Sequence, residues 1–80
     1  MEANEVQAIV EVAFPNAEIA VDRDGSHYLV RVISDVFEGM SPVKKQQAVY
    51  ACLNEQLASG AIHALHIQAM TPAQWAAKQA

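Results

Sequence analysis

The chain has 80 residues, 52% of them hydrophobic, and a formal net charge of −4. A chain this short buries only about 60% of the surface it exposes when unfolded, so one modest core is the limit and one domain over residues 1–80 is expected. Five lysines and arginines against nine acids argue against strong non-specific binding to nucleic acid, and a single cysteine excludes a disulfide framework.

The start, Met1-Glu2-Ala3-Asn4-Glu5, is acidic and unlike a secretory leader, and no apolar run approaches the roughly 20 residues of a membrane span. With a lone cysteine, this leads us to expect a cytoplasmic protein without a membrane partner. Glu2 to Ala13 reads as a helix, because Val6, Ile9, Val10 and Ala13 recur at spacings of three and four. Asn4 is its candidate cap, and Pro15-Asn16 ends it. Glu18 to Val21 reads as a short strand, and Asp22 to Ser26 as a turn whose Asp-Gly pair signals a hairpin. His27 to Ile33 is the most strand-like run, with Tyr28, Val30 and Val32 on one face and Leu29, Arg31 and Ile33 on the other.

Ser34 to Met40 is expected to be a loop, with Phe37 tucked under the sheet. Ser41-Pro42 then opens a long helix, a serine cap followed by proline at the first helical position. The helix is expected to run to about Ala58. Val49, Leu53 and Leu57 form its inner stripe, supported by Val43 and Tyr50, while Lys44 and Lys45 look outward. Ser59-Gly60 stops it. Ile62 to Ala69 is the third strand, and His66 falls on the opposite side from His63. Thr71-Pro72-Ala73-Gln74 repeats the helix-start signal as a capping box, and Trp75 anchors the last, short helix.

The order α-β-β-α-β-α, with helices needed to cover one sheet face, gives an α+β two-layer sandwich with a three-stranded mixed sheet. A strand–helix–strand crossover makes the second and third strands parallel. Parallel strands start at the same edge of a sheet. His27 starts the second and His63 the third, so both histidines and the Asp22–Ser26 turn should converge there if the strands are neighbours.

Five stretches in order resemble the BolA-like family: Gly25-Ser26-His27-Tyr28, Phe37-Glu38-Gly39-Met40-Ser41, Val43-Lys44-Lys45-Gln46-Gln47, Ile62-His63-Ala64-Leu65 and Thr71-Pro72-Ala73-Gln74-Trp75. The Lys-Lys-Gln-Gln helix start is similar to the IbaG-type branch. The resemblance implies a class II KH-like fold and a monothiol glutaredoxin partner. It also implies a [2Fe–2S] cluster shared with that partner and its bound glutathione, in iron-sulfur trafficking or iron-linked regulation. His63 would be the metal donor from the His-Ala-Leu motif. The second donor would come from the loop between the first two strands, where His27 is the only histidine and the family's cysteine position falls near Asp24.

Each feature also has a plainer reading. By residue type alone, His63 is a histidine satisfied at a strand start, and His27 a loop-end residue bonded to the turn. Cys52, mid-helix among apolar neighbours, reads as a small core residue, and no zinc-type spacing lets the chain hold a metal alone. Lys44 and Lys45 read as a solvated face, a partner-docking pair, or phosphate contacts. The last reading gives an alternative function, a DNA-binding transcriptional regulator using the KH-like helix region. The Gly-x-x-Gly loop by which KH domains clamp a nucleic-acid backbone is missing, since Glu38-Gly39-Met40-Ser41 has one glycine and an acid. No triad or phosphate-binding loop is visible, so no catalysis is expected. A homodimer stays open.

Overall fold

The computed structural model describes residues 1–79. Its helices are α1 (Ala3–Ala13), α2 (Pro42–Cys52), α3 (Asn54–Ala58) and α4 (Pro72–Gln79); its strands are β1 (Glu18–Asp24), β2 (His27–Ile33) and β3 (Ala64–Met70), with a 3₁₀ turn at Asp35–Phe37. The sheet order is β1-β2-β3, antiparallel between β1 and β2 and parallel between β2 and β3. This is the expected α+β architecture with a mixed three-stranded sheet.

The core follows from the period-2 face of β2. Tyr28, Val30 and Val32 are buried, and they pack with Val6 and Val10 of α1, Val49 of α2, Leu53, Phe37 and Ile62. Phe37 sits under the sheet as expected and tilts against Phe14, ring centroids 5.6 Å apart. The opposite sheet face carries Arg31, and α4 lies over it: the Arg31 guanidinium stands 4.4 Å from the centre of the Trp75 ring. That contact anchors the last helix, a cation over an indole face.

Several local expectations need correction. Glu2, not Asn4, caps α1, through a reciprocal capping box with Glu5. The first strand extends past Val21 to Asp24, because Asp22, Arg23 and Asp24 pair with Leu29, Tyr28 and His27; the hairpin loop shrinks to Gly25-Ser26. Gly25 has φ +64°, the positive value that a two-residue turn led by glycine requires. The long helix does not run unbroken to Ala58. At Leu53 (φ −111°, ψ 13°) the backbone leaves helical geometry, and its N–H bonds back to Tyr50 O at 3.0 Å. No glycine or proline causes this break. Leu53 is fully buried there, at the joint between α2 and α3.

The inner stripe of α2 and α3 is the expected one, with Val49 and Leu53 buried and Leu57 packed against the core, but its flanks differ. Val43 and Tyr50 are exposed, whereas Lys45 is only 7% exposed. Lys45, Val49 and Leu53 form the inward i, i+4, i+8 row. The third strand begins at Ala64 rather than Ile62. Ile62, in the irregular segment before it, is buried in the core, tied by its N–H to Gln56 O at 3.1 Å.

Candidate functional site

Parallel pairing of β2 and β3 sets His27 opposite Ala64. His63 therefore lies at the mouth of the same ladder, beside the hairpin turn, and the Ala64 N–H reaches Ser26 O at 3.4 Å. The expected convergence of His27, His63 and the turn at one sheet edge is what the topology produces. His63 has a fixed backbone: buried Ile62 precedes it and ladder-paired Ala64 follows it. Its side chain is exposed, as is that of His27. Among the described residues neither imidazole enters a side-chain hydrogen bond, so the plainer readings, a satisfied strand-start histidine and a turn-bonded loop histidine, lose their partners.

His66 is exposed, yet it is not an isolated surface group. It pairs in register with Leu29, two residues along from His27, and so shares the α4-side face of the sheet with His27. Asp22 stands opposite Leu29 and Asp24 opposite His27 on that face. Together these side chains line an open depression of about 450 Å³. His63 is not part of its lining. The edge thus presents two imidazoles toward one face and a third just before the ladder starts. Alternation within β3 separates His66 from His63, whereas the parallel register groups it with His27.

Among the described residues, no three His, Cys, Asp or Glu side chains are grouped so as to hold a metal ion. A metal centre at this edge would therefore need donors from a second molecule. Cys52 offers none here: it is half-buried, its Sγ–H donates to Val49 O at 3.0 Å, and burial pushes the thiol above its ordinary value.

The lysine pair at the start of α2 divides. Lys44 is exposed, while the Lys45 ammonium turns inward and donates to Gln74 Oε1 at 2.9 Å. The same oxygen accepts the Thr71 N–H at 2.9 Å, and Gln74 N–H donates to Thr71 Oγ1 at 3.2 Å, the expected capping box. A phosphate-binding pair on this helix is thereby reduced to one exposed cation. Among the described residues, no helix is long and apolar enough to cross a membrane.

The family model described as BolA-like protein matches residues 4–74. The acid stress protein IbaG of Escherichia coli K12 is 49% identical over 76 residues, covering 95% of this chain and 90% of that protein. The solution structure of BolA1 from Mus musculus superposes with a TM-score of 0.80 at 36% identity, covering 98% of this chain and 71% of the other. The BolA domain of SufE1 from Arabidopsis thaliana gives a TM-score of 0.79 at 33% identity, covering 90% of this chain and 93% of that domain.

Proposed function

The chain belongs to the BolA-like family, and from that premise we propose that it is a non-enzymatic, cytoplasmic partner of a monothiol glutaredoxin. In this reading it contributes a histidine to a [2Fe–2S] cluster that the glutaredoxin and its bound glutathione also hold. The cluster is cargo, passed on or sensed, rather than a resident group of this chain.

The observation that carries the reading is the placement of His63. Its imidazole is exposed on a backbone held from both sides, beside the strand that starts with His27. Imidazole nitrogen is a competent donor to the iron of a [2Fe–2S] centre, as in Rieske sites. The donor set therefore fits the cargo chemically, provided that thiolates come from the partner. His27 is the second donor we propose from this chain. A histidine donor binds only when unprotonated, so ligation is tied to pH in a way thiolate ligation is less. That property is in keeping with the likeness to an acid stress protein. The alternative, a DNA-binding regulator working through α2, is weakened by the inward turn of Lys45.

The test is reconstitution. This protein, a monothiol glutaredoxin, glutathione, iron and sulfide are combined, and visible absorption and circular dichroism are compared with those of the glutaredoxin alone. A distinct spectrum is expected, lost in His63→Ala, altered in His27→Ala and retained in His66→Ala. A spectrum identical to that of the glutaredoxin alone overturns the reading.

A further inference from the structure

The outer edge of β3 is unpaired, because the sheet order ends there. Its hydrogen-bonding parity follows from two bonds. Ala64 N–H donates to Ser26 O at 3.4 Å, and Met70 O accepts the Ser34 N–H at 2.9 Å. Ala64, His66, Gln68 and Met70 therefore direct their backbone groups to β2, and Leu65, Ile67 and Ala69 direct theirs outward. The Tyr50 hydroxyl donates to Leu65 O at 3.4 Å and covers that end. Ile67 and Ala69 are left as two outward pairs of N–H and C=O.

These two residues lie in the floor of an open groove of about 310 Å³, walled by Pro42, Lys45 and Gln46 of α2 on one side and by Gln74 and Lys78 of α4 on the other. Among the described residues no acid lines it. Lys45 is the second observation. It is 93% buried and its ammonium meets the neutral amide oxygen of Gln74, while the ion pair found among the described residues, Arg23 with Glu2 at 3.3 Å, is elsewhere. A buried cation facing a neutral acceptor is an incomplete arrangement, since buried charges are ordinarily paired with opposite charge. A chain of net charge −4 thus keeps two of its five cations, Lys45 and Lys78, along this open strand edge.

We propose that the β3 edge is a docking site for an extended acidic segment of a partner protein, which adds as a fourth strand. Ile67 and Ala69 supply the backbone bonds, and carboxylates complete Lys45 and Lys78. Consecutive residues of an added strand project to opposite faces, so two adjacent acidic residues reach the α2 wall and the α4 wall together. A second copy of this chain is a poorer occupant, because β3-to-β3 pairing brings like charges together. A nucleic-acid strand is also poorer, because it needs a run of cations rather than two. The site is separate from the histidine edge, at the other end of β3, and stands whether or not a cluster is bound there.

The probe is an acetylated and amidated octapeptide, Val-Thr-Val-Glu-Glu-Val-Thr-Val, with a Lys-Lys version as control. Amide hydrogen exchange is followed by NMR on the intact protein. Without peptide, Ile67 and Ala69 should exchange fast and Gln68 slowly. With the acidic peptide, Ile67 and Ala69 should gain about tenfold protection or more, with Gln68 little changed. Lys45→Met and Lys78→Ala should each weaken binding, Lys45→Met by about tenfold. Ala69→Pro should abolish it, because this N–H points away from β2 and its loss spares the existing ladder. If Lys45→Met fails to fold, the other two variants decide. The proposal is overturned by unchanged exchange at Ile67 and Ala69, or by equal protection from the Lys-Lys peptide. It is equally overturned if a thymidine oligonucleotide protects these amides better than the peptide does, or if protection rises with protein concentration alone.

Discussion

Lys45 of α2 and Gln74 of α4 meet at 2.9 Å, ammonium to amide oxygen, and that oxygen also accepts the Thr71 N–H that opens α4. One side chain thus caps a helix and ties it to another element 29 residues away in sequence. Gln74→Ala removes both functions and leaves a buried ammonium without its acceptor. The expected cost is about 1–3 kcal/mol in urea unfolding. Gln74→Glu keeps the cap geometry and supplies opposite charge, so it should match or exceed the parent stability at neutral pH. A Glu variant as destabilised as the Ala variant would show that the Lys45 ammonium does not use this oxygen in solution.

The second tie of α4 is the Arg31–Trp75 stack, 4.4 Å from guanidinium to ring centre. Trp75→Leu keeps apolar bulk but loses the cation–π term, worth about 0.5–2 kcal/mol according to exposure. The loss should be concentrated in α4, as faster amide exchange there with the β2 amides unchanged. Uniform destabilisation of every amide would contradict that localisation.

What the sequence made legible and what it did not divide along physical lines. The placement of His27 and His63 at one end of neighbouring strands was legible because a crossover connection fixes parallel strands, and parallel strands start together. Val30 and Val32 were legible as core because burial alternates from His27 to Val32; Ile33, on the other face, is buried as well. The burial of Lys45 was not, because a lysine stem packs like an aliphatic chain while its charge argues for solvent. Its place in an i, i+4, i+8 row with Val49 and Leu53 was the available signal, but its acceptor, Gln74, comes from a distant element. The break at Leu53 carries no glycine or proline, so no local residue announces it. The grouping of His66 with His27 needed the register, which alternation within one strand does not give.

The hairpin that delivers His27 turns on Gly25, whose φ of +64° L-residues adopt at a cost. Nothing lies within 4 Å of where a Cβ would stand, so the penalty is conformational rather than steric crowding. Gly25→Ala should cost about 1–2 kcal/mol. Gly25→Asn should cost less, since asparagine tolerates the left-handed region. Thermal unfolding of the two variants checks the order, and Ala at least as stable as Asn would refute it.

Cys52 provides a test that depends on pH. Burial raises its thiol above the ordinary value of 9.0, although the thiolate would gain a little from its own backbone N–H. The thiol form is the one that donates to Val49 O. The folded state therefore holds its proton at a pH where the unfolded state has released it. The unfolded state then binds fewer protons, so stability must fall as pH rises. The contribution is fully present below about pH 9 and is lost as pH climbs from there through the raised folded value. Unfolding midpoints in urea, taken at intervals from pH 7 to about pH 11, should decline more steeply for the parent than for Cys52→Ala. Alkylation by iodoacetamide at pH about 8 should be slower for the folded chain than for the chain in urea, because the thiolate is the nucleophile. Equal alkylation rates, or parallel pH profiles for parent and variant, would place Cys52 in a wetter setting than the end of α2 provides.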